Sequence, residues 1–187
     1  MRYNGIGFSF QDYPDPSASA VVVYLTGCSN NCKGCQNVKL QDPFYGEDVG
    51  DISTFVKKIK DECAKNDTHN IVFEGGDPLY TDNVFYVKSI IDLLPEYNVC
   101  IYTGCDIDTV KLSFRKHEVN FFKCGKFDID HKRPSMKTED KFMLASPNQN
   151  FYDSCFHKIS RKGVLNFKKN IFQKIFYTVF SENKNND

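Results

Sequence analysis

The sequence has no excess of charge, no long apolar run and no apolar leader, and each absence narrows the possible functions. Its 24 basic and 24 acidic side chains cancel, so the net charge does not favour nucleic acid or an anionic membrane as a partner. No stretch approaches the roughly 18 uninterrupted apolar residues of a membrane span, and Met1 does not open a basic and then apolar signal sequence. We therefore expect a cytoplasmic protein that binds neither nucleic acid nor membranes.

Histidine is scarce, whereas cysteine is not: the sequence contains four histidines and eight cysteines. Without a secretory leader, metal binding by reduced thiols explains clustered cysteines better than disulfides do. Cys28, Cys32 and Cys35 form a C-x3-C-x2-C pattern directly after an apolar run. Because an iron–sulfur cubane normally takes four thiolates, a set of three leaves one iron open to a substrate. The pattern predicts a reactive iron–sulfur cluster.

Zinc is the alternative metal, since soft thiolates select zinc as well as iron–sulfur clusters. Structural zinc needs a fourth ligand. The nearest histidine in the sequence is His69, beyond a predicted helix, and Cys63 is predicted to face the core. Buried or incidental thiols explain the scattered cysteines more simply than a second metal site does. These scattered residues are Cys100, Cys105, Cys124 and Cys155.

Strand-like and helix-like segments alternate along the chain at intervals of about 25 residues. This alternation predicts right-handed βαβ units, and hence an α/β fold with a mostly parallel sheet and outer helices. The predicted strands are 20–25, 70–73, 98–102, 119–122 and 141–145, and the predicted helices are 53–65, 82–94 and 108–118.

Details of the helices are also predicted. Ser53 is expected to cap the first helix and Asp82 the second. Val110, Leu112 and Phe114 are available for burial on the third. Apolar residues at a spacing of four suggest an amphipathic helix at 171–180, although a strand also suits its composition.

Three motifs follow the predicted strands and should meet at one edge of the sheet. The cysteine triplet follows 20–25, Gly75-Gly76-Asp77 follows 70–73, and Thr103-Gly104 follows 98–102. Sites in parallel sheets and barrels gather at the carboxyl ends of the strands. The three motifs are therefore predicted to form a common site.

The motifs, taken in order, resemble those of the activating proteins of anaerobic ribonucleoside-triphosphate reductases, within the radical S-adenosylmethionine superfamily. The resemblance runs from about residue 10 to residue 150. Beside the cysteine triplet it rests on Gln11-Asp12-Tyr13, Asn37, Gly75-Gly76-Asp77-Pro78-Leu79, Tyr102-Thr103-Gly104, Gly125-Lys126-Phe127 and Asn148-Gln149.

The resemblance implies a fold, a reaction and partners. The fold would be a partial (β/α) barrel of radical S-adenosylmethionine type, with a core domain at 1–155 and a C-terminal extension at 156–187. A 4Fe-4S cluster on Cys28, Cys32 and Cys35 would cleave S-adenosyl-L-methionine reductively. The resulting 5'-deoxyadenosyl radical would generate a glycyl radical on the reductase, with electrons from a low-potential donor such as flavodoxin.

The resemblance also assigns cofactor contacts. Glycines allow close approach of the backbone to a ligand, and Asp77 could hold the cofactor ammonium group by a charge-assisted hydrogen bond. Each motif in isolation also suits a turn or a solvated loop. The implied contacts are Gly75, Gly76, Asp77, Asn37, Thr103, Gly104 and Asn148.

The sequence departs from the family at Cys105, where an aromatic residue is expected, and at Cys124, where an acidic residue is expected. Pro14-Asp15-Pro16-Ser17 lacks the glycines common in the family. Three alternatives therefore remain: a pyruvate formate-lyase-type activase, a small deazaguanine-type synthase, and a non-catalytic zinc-binding module.

Overall fold

The computed structural model describes residues 1–168, which form one mixed α/β fold. Its helices are α1 (Ile52–Lys65), α2 (Asn83–Asp92) and α3 (Ile107–Ser113). Its strands are β1 (Arg2–Ser9), β2 (Ala20–Leu25), β3 (Glu47–Asp48), β4 (Asn70–Gly75), β5 (Asn98–Thr103), β6 (Phe121–Cys124), β7 (Met136–Lys137), β8 (Lys141–Met143), β9 (Asn150–Asp153) and β10 (Val164–Asn166).

The main sheet has the order β3-β1-β2-β4-β5-β6-β9. Its four central strands, from β2 to β6, are parallel, which confirms the mostly parallel sheet predicted from the alternating segments. Strands β1 and β9 flank this centre in antiparallel pairing, and neither was predicted. Strand β9 is short and at the edge, and β1 is only partly buried along most of its length, so both carry a weaker apolar pattern than central strands buried on both faces.

Two apolar clusters, one on each face of the sheet, hold the fold together. The first lies between the sheet and α1 and α2, where Phe55, Ile59 and Phe73 are fully buried. The second is built around Phe142 and Phe151. A small sheet of order β10-β8-β7 belongs to this second cluster.

The helix boundaries differ from the prediction in identifiable ways. Asp51, not Ser53, caps α1, since its carboxylate accepts a hydrogen bond from the Thr54 N–H at 2.7 Å. Asp82 precedes α2 as predicted, but its side chain makes no capping hydrogen bond. Helix α3 ends at Ser113, five residues early, so Val110 and Phe114 are buried whereas Leu112 is 88% exposed.

The last predicted strand, 141–145, is observed as β8 and is two residues shorter. The helix predicted at 171–180 lies outside the described residues. Within residues 1–168, the helices are too short or too polar to cross a bilayer.

Candidate functional site

The cysteine loop begins where β2 ends and is held at both ends by backbone hydrogen bonds. The Gly27 N–H donates to the Leu40 carbonyl at 2.8 Å, and the Cys28 N–H donates to the Gln41 carbonyl at 3.1 Å. Inside the loop, the Cys35 N–H donates to the Cys32 carbonyl. These bonds close the segment into a compact loop, so that Cys28, Cys32 and Cys35 line one cavity.

The spacing of the three sulfurs bears on whether these cysteines could bind a single zinc ion. Within residues 1–168, the Sγ atoms of Cys28, Cys32 and Cys35 do not all lie within 4.8 Å of one another. A single zinc ion holds its ligands about 3.3–3.8 Å apart, because the bonds are roughly 2.0–2.3 Å long and tetrahedral. A cubane binds each thiolate at a different corner and therefore needs wider spacing. The arrangement therefore disfavours a single zinc ion bound by all three cysteines.

The two glycines of the Gly75-Gly76 motif let β4 approach the cysteine loop closely. Gly75 has φ +111°, and an added Cβ there would lie 2.5 Å from the Leu25 carbonyl oxygen. An added Cβ on Gly76 would lie 2.5 Å from the Gly27 oxygen and 2.6 Å from the Leu40 oxygen. No side chain fits between these backbones. The glycines therefore set the position of the loop, and both also line the cavity.

Asp77 is 2% exposed and joins three segments. One carboxylate oxygen accepts hydrogen bonds from the Thr103 hydroxyl at 2.7 Å and the Leu79 N–H at 2.9 Å. The other accepts from the Asn30 side chain at 2.6 Å and the Gly104 N–H at 3.1 Å. A carboxylate has about four acceptor positions, so protein donors fill all of them. Asp77 thus ties the cysteine loop to the ends of β4 and β5.

Asn30 is a site residue that sequence reasoning missed. Its Nδ2 donates to Asp77, and its backbone N–H and Nδ2 approach the Cys28 sulfur at 3.4 and 3.5 Å. Its side chain fills the space that a Cβ on Gly104 would occupy. Burial raises the pKa of the Cys28 thiol, while the two Asn30 hydrogen bonds oppose this shift. An asparagine between clustered cysteines gives little signal, since loops commonly contain it.

The cavity has a volume of about 340 Å³, large enough for a small-molecule cofactor. Most of the residues predicted to contact the cofactor line the cavity, but Asp77 and Asn148 do not. The Asn148 side chain instead donates to the Lys126 carbonyl at 2.8 Å. The predicted residues that do line the cavity are Asn37, Gly75, Gly76, Thr103 and Gly104, together with the three cysteines.

Charged side chains lie on one wall of the cavity, and sequence reasoning missed these as well. Burial and the nearby Asp12 raise the pKa of Glu74 to about 7, an effect that Lys123 partly offsets. Burial also lowers the pKa of Lys123, whose ammonium lies 5.2 Å from the centre of the Tyr102 ring. The available signal was an acidic residue at the end of an otherwise apolar buried strand, 71–74.

A family model described as a 4Fe-4S single cluster domain matches residues 17–152, which include the cysteine loop and most of the residues that line the cavity. The chain belongs to this family. Membership in the 4Fe-4S single cluster domain family agrees with the donor set, because three cysteines line a single cavity.

Curated relatives of this member of the 4Fe-4S family are 24–26% identical to it. The anaerobic ribonucleoside-triphosphate reductase-activating protein of Enterobacteria phage T4 is 24% identical over 147 residues, or 76% of this chain and 89% of the relative. The protein of the same name from Escherichia coli K12 is 26% identical, covering 61% of this chain and 78% of the relative. That from Haemophilus influenzae is 25% identical, covering 61% and 77%.

One cavity residue has an unused hydrogen-bonding atom. Gln149 is buried, and its Nε2 donates to the Gly125 carbonyl at 3.2 Å. Among residues 1–168, its Oε1 has no hydrogen-bond partner. Because a buried acceptor without a partner costs about 1–3 kcal/mol, this atom is available to a ligand in the cavity.

Proposed function

We propose that the protein is an activase that generates a glycyl radical on an anaerobic ribonucleoside-triphosphate reductase. One observation carries the proposal: three cysteines of a compact loop line a single cavity of about 340 Å³. The names of the relatives from phage T4, Escherichia coli and Haemophilus influenzae support the choice of reductase. Cys28, Cys32 and Cys35 would hold a 4Fe-4S cluster, and S-adenosylmethionine would occupy the cavity.

When bound, the cluster and S-adenosylmethionine would supply the radical chemistry: one electron breaks a sulfonium carbon–sulfur bond, and the carbon fragment takes a hydrogen atom from a glycine of the reductase. The chain's own residues would position these groups. Gly75 and Gly76 would offer close backbone approach, while Thr103, Gly104 and Asn37 would form the adjoining walls. Asp77 would act indirectly, because its hydrogen bonds fix the cysteine loop against Thr103 and Gly104.

Exclusion of water is the other requirement for radical chemistry, and apolar side chains on the cavity wall would provide it. Phe127, Phe142 and Leu144 line the wall formed by the second half of the chain. We further propose that the sheet curves into a partial (β/α) barrel that brings this wall opposite the cysteine loop. The reducing electron would come from a low-potential cytoplasmic donor such as flavodoxin.

The decisive experiment is anaerobic incubation of the cluster-loaded protein with S-adenosylmethionine, a reductant and the candidate reductase. We expect the doublet of a glycyl radical in the electron paramagnetic resonance spectrum. Cys28→Ser, Cys32→Ser and Cys35→Ser should each abolish it and lower the bound iron. Cys105→Ser is the matched control, because Cys105 is partly buried but does not line the cavity.

Three results would contradict the proposal. Normal radical yield in any one of the three cysteine variants would remove the ligand assignment. A glycyl radical on pyruvate formate-lyase, with none on the reductase, would leave the cofactor chemistry intact but change the partner. Stoichiometric zinc at the triplet without iron would instead support the non-catalytic zinc-binding module.

A further inference from the structure

A second cluster of metal-binding side chains lies away from the cavity. Asp153, Cys155 and His157 each offer one ligand atom, and these atoms all lie within 4.8 Å of one another. They stand at alternate positions of the turn that follows β9. Asp153 pairs with Phe121 at the start of β6, whereas Cys124 at the other end of β6 adjoins the cavity. The two groups are therefore separated by about 10 Å along the strand.

The turn at 153–157 is held by hydrogen bonds that leave metal-binding atoms available. One Asp153 carboxylate oxygen, Oδ1, accepts from the backbone N–H groups of Cys155 and His157 at 2.9 and 2.8 Å. The other, Oδ2, lies 3.3 Å from the His157 Nδ1. The backbone bonds thus orient the three side chains and keep Oδ2 directed toward the imidazole.

A neighbouring side chain from a different element contacts one of these donors. His117, in the segment after α3, places its Nε2 3.5 Å from the Cys155 sulfur. Its Nδ1 lies 3.2 Å from the Ser154 hydroxyl, and its backbone N–H donates to the Ser154 carbonyl at 2.9 Å. Hydrogen bonds to the side chains that bind a metal orient those ligands. His117 is placed to make such a bond to the Cys155 sulfur.

The spacing suits a single tetrahedral ion. With bonds of about 2.0–2.3 Å, adjacent ligand atoms lie roughly 3.3 Å apart for oxygen and nitrogen and 3.5 Å apart for sulfur and nitrogen. The Asp153 oxygen and the His157 Nδ1 lie 3.3 Å apart, and the Cys155 sulfur lies within 4.8 Å of the ligand atoms of both residues. One thiolate and one carboxylate would also neutralise a divalent ion.

We propose that Asp153, Cys155 and His157 bind one divalent transition metal of the zinc class, independently of the iron–sulfur cluster, with a water molecule in the fourth position. Mixed sulfur, nitrogen and oxygen donors favour zinc. The ion would fix the turn after β9, and His117 would link this turn to the segment after α3 through its contacts with Ser154 and Cys155. Its role is to brace this end of the sheet, opposite the cysteine cavity.

The test uses full-length protein loaded anaerobically with iron and sulfide, and then titrated with Zn²⁺ against a competing chelator. Elemental analysis should find one zinc beyond the cluster iron. Cys155→Ser and His157→Gln should each weaken zinc binding at least tenfold and leave the iron content unchanged. His117→Ala should weaken it about tenfold, as loss of a hydrogen bond to a metal ligand does. Cys105→Ser should retain both metals.

Two further readouts keep the test decisive. Co²⁺ in place of Zn²⁺ should give the visible bands of tetrahedral cobalt with a thiolate-to-metal transition that Cys155→Ser removes. Circular dichroism should show that the variants are folded. The proposal fails if the wild type takes up no zinc, if Cys155→Ser retains it, or if only substitution of the cluster cysteines removes it. Because iron and zinc are counted separately, failure here leaves the activase proposal untouched.

Discussion

At the scale of single residues, the site depends on polar side chains whose roles come from burial. Asp77 was expected to contact the cofactor, and the structure gives all its acceptor positions to Asn30, Leu79, Thr103 and Gly104. A contact between Asp77 and the cofactor therefore needs one of these donors to move. Gln149, by contrast, retains a buried acceptor that has no partner in the part of the chain that the structure describes.

Glu74 gives a prediction about pH. Burial raises its pKa from 4.5 to about 7, so the folded chain binds this proton more tightly than the unfolded chain does. Its stabilising contribution is therefore fully present below about pH 4.5 and is lost as the pH rises through about 7. The loss is on the order of 3 kcal/mol at most, because the side chain borders the cavity. Asp12 and Lys123 act on the same carboxyl.

The measurement is the free energy of unfolding of Glu74→Gln and wild type before cluster assembly, across this pH range. Glu74→Gln should flatten the decline seen in the wild type. Glu62→Gln is the control: Lys65 lowers the pKa of Glu62, so that its titration falls below the range. Parallel curves for Glu74→Gln and wild type would contradict the prediction.

At the scale of elements, the site is built from the carboxyl ends of β2, β4 and β5, joined by backbone contacts. The Gly76 N–H donates to the Leu25 carbonyl and the Asp77 N–H donates to the Gly27 carbonyl, both at 2.8 Å. These bonds continue the pairing of β2 with β4 beyond the last residues of the two strands and into the cysteine loop. The position of the loop is thus fixed by the main chain, and any side chain between the two strand ends would displace it.

Gly76→Ala tests this packing. The added Cβ would lie 2.5 Å from the Gly27 oxygen and 2.6 Å from the Leu40 oxygen, so the loop must shift. We expect a loss of about 1–3 kcal/mol in the free energy of unfolding, together with reduced iron uptake during cluster assembly.

Gly5→Ala is the matched control for this substitution, because an added Cβ at Gly5 meets nothing within 4 Å. It should change the stability by about 0.5 kcal/mol or less and leave iron uptake normal. Equal behaviour of the two variants would show that the contact at Gly76 does not set the loop position.

At the scale of the whole molecule, the two faces of the sheet are covered by different parts of the chain. Helices α1 and α2 cover one face, while β8 and β10 cover the other through Phe142 and Leu165. The predicted boundary at residue 155 falls before β10. Residues 164–167 nevertheless contribute Leu165 and Phe167 to the second cluster, so the first part of the predicted extension packs with the core.

Leu165→Ala measures that contribution. Leu165 is 1% exposed, and removing a buried leucine side chain costs about 2–5 kcal/mol. Leu112→Ala is the same substitution at a site that is 88% exposed, and it should change stability by about 0.5 kcal/mol or less. Chemical denaturation of both variants gives the comparison. A small effect at Leu165 would mean that β10 contributes little to the fold.

Local patterns in the sequence determined the central architecture. The apolar run at 20–25 predicted β2 with its observed boundaries, and Phe55, Val56, Ile59 and Cys63 on α1 are buried as their spacing required. The cysteine spacing predicted an iron–sulfur ligand set, which the family match supports. These features follow from periodicity and ligand spacing, which act between near neighbours in the chain.

Only the tertiary structure decided which distant groups meet. Asn30 reaches Asp77 across 47 positions, and His117 reaches Cys155 across 38. Glu74 and Lys123 line one cavity although they lie on different strands. The antiparallel strands β1 and β9 form through backbone hydrogen bonds, which carry little sequence signal. Contacts of this kind depend on how strands and loops pack in three dimensions, and no local pattern specifies that packing.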